Sequence, residues 1–570
     1  MKKYKNLIAK EISSLLENVT EQQIAALIEY PPNSEMGDLS FPCFKLSKTL
    51  RKAPQVIADE LKWSLQLDAI ERMESAAGYL NFFIDKVRFA DYVIKSILTL
   101  GDQYGSQNVG NDKTVVIDYS SPNIAKPFHV AHLRSTVIGN ALYRIYSFLG
   151  YTCIGINHLG DWGTQFGKLI VAYHLWGNSD EIEKGGIDEL LRLYVKFHDE
   201  AEHNPVLEDQ ARAWFVKLEQ DDKEALRLWR WFVDISIKEF KRIYQLLGVH
   251  FDSYTGESFY NDKMEAAIGQ LRDKGLLEED QGASLVRLDA YEMPPALILK
   301  KDGSSLYHTR DITAALYRKD AYDFEKAIYV TDYAQNLHFQ QWFKVVELLG
   351  YEWSNDLVHV AFGRVSLEGT SLSTRKGNII KLEDVLQQSI AKTKAIMEAR
   401  NANIENMDEI ARQVGVGAVI FNDLSSSRIK DIVFSWKEVL NFEGETGPYL
   451  QYTHARASSI LTKAMSQFGM SINDSLVEPA HLINDSSIHL LKELSMFGER
   501  IEWAMQKSEP SIISRYLIDL AQAFNRFYHE CPILVENASV REARLALVKC
   551  VKTTLVNGLR LIGLEAPEKI

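Results

Sequence analysis

Apolar positions along this chain change rhythm twice. In the first stretch Leu7, Ile8, Ile12, Leu15, Leu16 and Val19 recur at three- and four-residue spacing, which predicts an amphipathic helix. Lys10 and Glu11 interrupt the segment, so it reads as part of the fold and not as a signal peptide. A turn-rich stretch (PPNSEMGD) follows, then the strand-like run GYLNFFI, and then a polar, glycine-containing linker over 101–113. At 114–119 the chain reads Thr-Val-Val-Ile-Asp-Tyr, a short β-branched run that predicts a buried strand. A helical pattern covers 130–149, and 151–157 is strand-like again. Strand, crossover helix and strand make a βαβ unit and hence a parallel sheet. From 176 to 251 the chain is charged and helix-like, and strand-like runs return at 296–299, 327–331 and 357–362. Beyond about 405 the pattern is almost wholly helical. Ile513, Leu517, Leu520, Phe524 and Phe527 form one face, and Val548, Val551, Leu555, Leu559 and Ile562 another.

A chain of 570 residues is too long for one core. Three units are expected: 1–105, an α+β domain; 106–395, an α/β domain on a parallel sheet, with a helical insertion at about 176–290; and 396–570, an all-α helical bundle. Composition is that of a globular protein, 46% hydrophobic and 25% charged. No apolar run approaches the ~18 residues of a membrane span. Cys43, Cys153, Cys531 and Cys550 are far apart and none has CxxC spacing, which argues against a zinc knuckle or a disulfide framework and fits a reducing cytoplasm. The net charge of −13 speaks against nucleic-acid binding if taken alone. Local distribution matters more. Between 540 and 560 five basic residues (Arg541, Arg544, Lys549, Lys552, Arg560) face one acid, Glu542, which suits either a phosphate-facing surface or a solvated helix face.

The first candidate chemistry sits where the first parallel strand passes into its helix. His129 and His132 are three apart and share a helix face. A helix N-terminus favours an anion there, and two imidazoles can hydrogen-bond phosphate oxygens as charge shifts during displacement at phosphorus. Two incidental histidines, or a metal pair, are the competing readings; no third ligand is nearby and the familiar zinc motif is HExxH.

These residues carry a resemblance. The stretch SPNIAKPFHVAHLRST resembles the HIGH region of class I aminoacyl-tRNA synthetases, and its flanks resemble the arginyl family in particular. The block NHLGDWGTQFG is also similar to that family, and its glycines permit tight turns beside a nucleotide. The resemblance implies a Rossmann-type catalytic domain that uses ATP with Mg²⁺. It makes His129, His132, Gly160 and Asp161 ATP-binding, and His129, His132 and Lys126 catalytic. No residue is assigned to a metal. Glycine is usual at the third position of HIGH, where this chain has Ala131. The KMSKS counterpart is matched to SLSTRKGN: Ser371 and Thr374 replace both lysines, Lys126 stands where the family compensates for the second, and Ser373, Arg375 and Lys376 are the ATP-binding candidates.

A guanidinium is planar and cationic, so its site should offer carboxylates and neutral acceptors. Tyr307-His308-Thr309-Arg310-Asp311 resembles the family's Tyr-x-Thr-Arg-Asp motif. The resemblance makes Tyr307, Asp311, Asp118, Asn123 and Gln335 arginine-binding, with Asp118 near the substrate's α-amino group. From the residues alone, Asp311 would be a helix N-cap and Tyr307 ordinary core. A buried carboxylate left unpaired costs several kcal/mol, so neutral analogues should be rejected without an editing site. ETGPYLQYTHAR and FNRFY resemble blocks of the family's anticodon-binding domain, with Tyr449, Tyr452, Arg456 and Arg526 as tRNA-binding candidates. EMGDLSFP and AAGYLNFFI are similar to its N-terminal domain, which contacts the tRNA elbow. The implied activity is ligation of L-arginine to its cognate tRNA through an arginyl-adenylate, with activation dependent on bound tRNA, in a cytoplasmic enzyme expected to be a monomer. A synthetase-like binding protein without catalysis, and a class I synthetase of other specificity, are the alternatives.

Overall fold

The computed structural model describes residues 1–16, 19–301, 303–367, 381–400, 404–469 and 477–570. The N-terminal unit places the helix Lys2–Ser14 over an antiparallel sheet of β1 (Leu39–Pro42), β2 (Ile70–Ala76) and β3 (Tyr79–Ile84), in the order β1-β3-β2. The buried face of that helix is Tyr4, Ile8, Ala9 and Ile12, while Leu15 lies beyond its end and is exposed. Ala77 and Gly78, both at positive φ, make the two-residue turn between β2 and β3.

The second unit is built on four parallel strands: β4 (Thr114–Asp118), β5 (Thr152–Ile156), β9 (Lys326–Asp332) and β10 (Leu357–Phe362), in the order β10-β9-β4-β5. The β-branched run of β4 is buried on both faces, as a central parallel strand requires. Val115 and Ile117 pack into the core shared with the helix Val130–Phe148, and Val116 into a second core on the opposite face. Gly139 lets that helix lie on the sheet, since a Cβ there would stand 2.2 Å from the ring of buried Tyr119. The chain leaves β4 toward β5 on one side, and β9 lies on the other. A crevice therefore opens at the carboxyl ends of β4 and β9, the topological switch point where α/β sheets bind ligands.

Two expectations are corrected. The strand at 296–299 forms, but as β8 (Ala296–Leu299) in a separate antiparallel sheet with β6 (Leu277–Asp280) and β7 (Ala283–Val286). Ala296 and Ile298 are buried and Leu297 is exposed, an alternation that suits a half-covered sheet. The helical character of the insertion therefore ends before 277; its long helices are Ile187–His203, Val206–Glu219 and Lys223–Leu247. The third region also contributes a strand, β12 (Ile432–Phe434), which pairs in parallel with β11 (Val365–Leu367). Three residues are too few to show a period in sequence.

The third region is otherwise helical, and both predicted apolar faces are buried, on Ser511–Glu530 and Ala538–Leu561. Helix Leu382–Arg400 runs across residue 396 and packs on Met407–Leu424, where Ser389 Oγ donates to Gly415 O at 2.7 Å. Arg134, 1% exposed, fastens the central helix to both neighbours: it donates to Gly363 O (2.9 Å) and Lys430 O (2.6 Å) and faces Asp423 at 3.4 Å. The basic 540–560 segment is largely occupied within the fold. Arg541 caps Val535 O and Glu536 O, Arg544 binds Pro532 O, Lys552 pairs with Glu568, and Arg560 donates to Asp102 O. All four cysteines are buried, and no disulfide joins any of them among the described residues. Among the described residues no helix is long and apolar enough to cross a membrane.

Candidate active site

The loop that leaves β4 is strained. Ser120, Ser121 and Ala125 hold φ of 71°, 48° and 58°, a region non-glycine residues seldom occupy and which costs of order 1–3 kcal/mol each. A polar network holds them there. Ser135 Oγ accepts from Ser120 N (2.9 Å) and donates to Val330 O (2.7 Å), tying the loop to the helix and to β9. Tyr244 of the insertion lies 2.8 Å from Ser120 Oγ and accepts from Asn157 Nδ2 at 2.9 Å. Ser236 Oγ accepts from Ala125 N (3.0 Å). Gly160 N donates to Pro122 O and Ile124 N to Gly160 O, so the loops after β4 and β5 run together.

The loop delivers the two histidines to the helix start. His129 is the N-cap of Val130–Phe148 and His132 its third residue. Their rings stack with centroids 3.8 Å apart. His132 Nδ1 accepts the backbone N–H of His129 at 3.2 Å, which leaves the ring proton on Nε2. Burial, and after it His129 and Lys126, push His132 well below the usual histidine value; burial and Lys126 lower His129 as well. The pair is therefore neutral at pH 7 and offers N–H donors without itself being protonated. Lys126, lowered by burial, has its Nζ 6.0 Å from the centre of the Tyr194 ring on the insertion.

The crevice is a cavity of about 620 Å³ that brings together Asp118, Asn123, His132, Gly160, Tyr307, Asp311 and Gln335 from the residues singled out in sequence, along with Ala131. Two helix starts converge on it. Tyr307 and Asp311 share a face of Tyr307–Tyr322, and Gln335 caps Asn336–Leu348, which also brings His338. Leu306 is the N-cap of the first of these helices and Tyr307 is 71% exposed, so Asp311 is no cap and Tyr307 is no core residue. Asp118 is 8% exposed and already partnered: Arg318 Nη2 lies 2.8 Å from Oδ2, and Ser121 Oγ donates to Oδ1 at 2.9 Å. Glu257 meets Arg310 at 3.3 Å, and burial, offset in part by Arg310, pushes its carboxyl up to about 7. Asp332 accepts from Ala334 N at 2.7 Å and lies 3.7 Å from Arg364. Asp311 accepts from His338 Nε2 at 2.5 Å.

Asp161, Lys126 and His129 stand outside the residues lining this cavity. The Asp161 carboxylate accepts from Ser258 N (2.8 Å) and Ser258 Oγ (2.6 Å) and so braces the segment that carries Glu257. Ser373, Arg375 and Lys376 lie outside the described residues. What surrounds them is legible: β11, ahead of 368–380, is paired with β12, while Leu382 N donates to Phe128 O beside the histidine pair.

Residues 93–436 match the family model described as tRNA synthetases class I (R), catalytic domain. The chain belongs to the arginyl family of class I tRNA synthetases. Residues 2–84 match the arginyl tRNA synthetase N terminal domain, and 450–570 the DALR anticodon binding domain. The chain is 57% identical to the arginine–tRNA ligase of Alkaliphilus metalliredigens (strain QYMF) and 55% identical to that of Clostridioides difficile (strain 630), with all of each chain covered. It superposes on the Thermus thermophilus arginyl-tRNA synthetase with a TM-score of 0.84 at 25% identity, covering all of both chains.

Within this arginyl-synthetase framework several site residues have little or no signal in the sequence. Arg310 stands inside the Tyr307–Asp311 motif and Ser135 inside the helix-start motif, but neither pattern points to the contact each one makes. His338 follows Gln335 by three and could have been found as the next residue on that helix face. Ser236 was signalled by a polar residue interrupting the apolar stripe Phe232–Phe240. Tyr244, Glu257 and Arg318 carried no local signal. In the helical region Arg456 donates to Asn525 Oδ1 (2.6 Å), Asn525 Nδ2 donates to Tyr449 OH (2.8 Å), and the Arg456 guanidinium lies over Tyr452 (5.1 Å) and Tyr528 (5.7 Å). Arg526 stands apart, paired with Glu530 at 3.0 Å.

Proposed function

We propose that this chain ligates L-arginine to its cognate tRNA in translation, with ATP converted to AMP and pyrophosphate through an arginyl-adenylate. One observation carries the reading: a single crevice at the switch point sets a neutral imidazole donor against a wall of carboxylates. That wall holds Asp118, Glu257, Asp311 and Asp332, of which only Asp311 lacks an arginine beside it. A cationic guanidinium supplies the missing charge.

Asp311, Tyr307 and Gln335 bind the guanidinium end of arginine, while Asn123 and Asp118 bind the α-amino and carboxylate end. Arg318 already offsets the charge of Asp118, so Asp118 acts mainly as an oriented acceptor. The substrate carboxylate attacks the α-phosphorus and pyrophosphate leaves. His132 Nε2–H, with His129 and Lys126, donates to the phosphate oxygens as charge accumulates, which is transition-state electrostatics and not nucleophilic catalysis. Gly160 leaves room beside the nucleotide, and Ser373, Arg375 and Lys376 are its further ATP-binding residues. A tRNA ribose hydroxyl then attacks the adenylate carbonyl and AMP departs. Mg²⁺ enters with the triphosphate, since this small, strongly hydrated ion is usually held through substrate phosphates. Tyr449, Tyr452, Arg456 and Arg526 face the tRNA. The units 1–105, 106–395 and 396–570 divide the work among tRNA-elbow contact, catalysis and anticodon binding, in a cytoplasmic monomer.

The test is ATP–pyrophosphate exchange and tRNA charging by the purified chain, with and without tRNA and with arginine varied against other amino acids. Arginine-dependent charging is expected. Exchange that does not need arginine, or none even with cognate tRNA present, overturns the reading.

A further inference from the structure

Four carboxylates line the crevice, and their partners differ in kind. Asp118 faces Arg318 at 2.8 Å, Glu257 faces Arg310 at 3.3 Å, and Asp332 has a backbone N–H at 2.7 Å with Arg364 at 3.7 Å. Asp311 alone is partnered by an imidazole, with His338 Nε2 at 2.5 Å from Oδ2. The difference matters for a cationic ligand. A guanidinium beside Asp311 could cover both oxygens and cancel the charge, as a bidentate pair does. One imidazole N–H engages a single oxygen, fixes the plane of the carboxylate, and leaves Oδ1 free to accept from the ligand.

Packing and hydrogen bonds support the imidazole from behind. His338 is the third residue of the helix Asn336–Leu348, one turn after Gln335, so both side chains project from the same helix start into the crevice. Its ring rests against His308 with centroids 4.5 Å apart and at an angle against Phe339. His308 lies 3.2 Å from Gln341 Oε1, and Gln341 in turn donates to Pro294 O at 2.8 Å. The imidazole is thus packed from behind, with its Nε2 directed at Asp311.

We propose that His338 is a positioning residue for arginine recognition: its Nε2–H orients Asp311 while leaving an oxygen and the charge of that carboxylate for the substrate guanidinium. The inference rests on the reading of this crevice as the arginine site. It assigns His338 to selectivity for the cation over a neutral isostere, and not to the chemistry at phosphorus.

The experiment compares wild type with His338→Gln, which keeps an N–H near the position of Nε2, and His338→Leu, which removes it. Steady-state tRNA charging is measured with arginine varied and then with ATP varied, citrulline serves as competitor, and thermal melting is followed in parallel. Loss of a hydrogen bond to a charged group predicts a rise in arginine KM of about tenfold or more for His338→Leu. ATP KM should stay within about twofold, discrimination against citrulline should fall, and His338→Gln should recover most of the loss. An unchanged arginine KM in folded His338→Leu overturns the proposal. So does a parallel rise in arginine and ATP KM, or a glutamine variant no better than leucine. If His338→Leu does not fold, the glutamine variant decides: its arginine KM must stay within about threefold of wild type. Wild type that charges arginine while the variants behave alike refutes this proposal only; wild type that fails to charge arginine refutes the arginine-site reading as well.

Discussion

Asp118 ends the central strand of the catalytic sheet and faces Arg318, whose side chain is 1% exposed. Replacing Arg318 by Met keeps the hydrocarbon stem beside Tyr329 and removes the guanidinium that lies 5.5 Å from that ring and 2.8 Å from Asp118 Oδ2. Asp118 would then be a carboxylate at 8% exposure with only the Ser121 hydroxyl donating to it. Breaking a buried pair by removing one partner costs about 3–5 kcal/mol, because the survivor keeps its desolvation penalty. Asp118→Asn should cost a similar amount, since it strands the guanidinium. For a unit of roughly 150–250 residues this is a fall in melting temperature of about 6–20 °C. The double variant Arg318→Met/Asp118→Asn strands neither charge. It should be less destabilised than the sum of the singles by about 1–3 kcal/mol. A three-unit chain does not unfold in one step, so the assay is the midpoint of the transition that arginine and ATP shift, compared across the four proteins. Additive losses, or a shift below about 2 °C for Arg318→Met, would show that the pair carries no such energy and that Asp118 serves the substrate alone.

Three further outcomes are expected. Gly160→Ala places a Cβ 2.1 Å from Asn123 Oδ1. The exposed amide can swing away while the backbone stays, so arginine KM should rise about tenfold with melting nearly unchanged, and a large loss of stability would contradict this. Glu257 is raised to about 7 when folded against an ordinary value near 4.5. The folded state therefore binds this proton more tightly than the unfolded one, and its stabilisation is complete below pH ~4.5 and lost as pH rises through ~7. Glu257→Gln should melt with a flatter pH dependence than wild type between pH 5 and 8, and parallel curves would refute it. His132→Leu removes the Nε2–H donor at the helix start. Pyrophosphate exchange should fall about 10²–10³-fold, with arginine binding in equilibrium dialysis changed far less.

Some of this was legible because it is local. The run at β4, the histidines three apart and the helical faces at 513–527 and 548–562 depend on strand burial and helix pitch, and each folds as its pattern demands. Tyr307 and Asp311 were less legible: read alone, Asp311 resembles a helix N-cap, and only a helix that starts at Tyr307 sets the two one turn apart on one face. What the helix start does with its histidines is also local: the cap geometry sets the stack and leaves the proton on Nε2.

Other decisions needed the tertiary fold. Nothing near 296–299 distinguishes a strand of the parallel sheet from a strand in a separate antiparallel one, because the choice lies in the partner and not in the segment. The same holds for β11 and β12, which are too short to declare themselves until they pair. Asp161, which a glycine-rich block places beside a nucleotide, is occupied by Ser258 from the far side of the insertion. The strained loop of Ser120, Ser121 and Ala125 persists because Ser135, Tyr244 and Ser236 hold it from distant parts of the chain. Charge shows the division most clearly. The sequence by itself determines that acids suited to a guanidinium are present. Which acid remains for the ligand depends on where Arg318, Arg310 and His338 come to rest, because charge compensation acts through space over a few ångströms and the chain order does not record it.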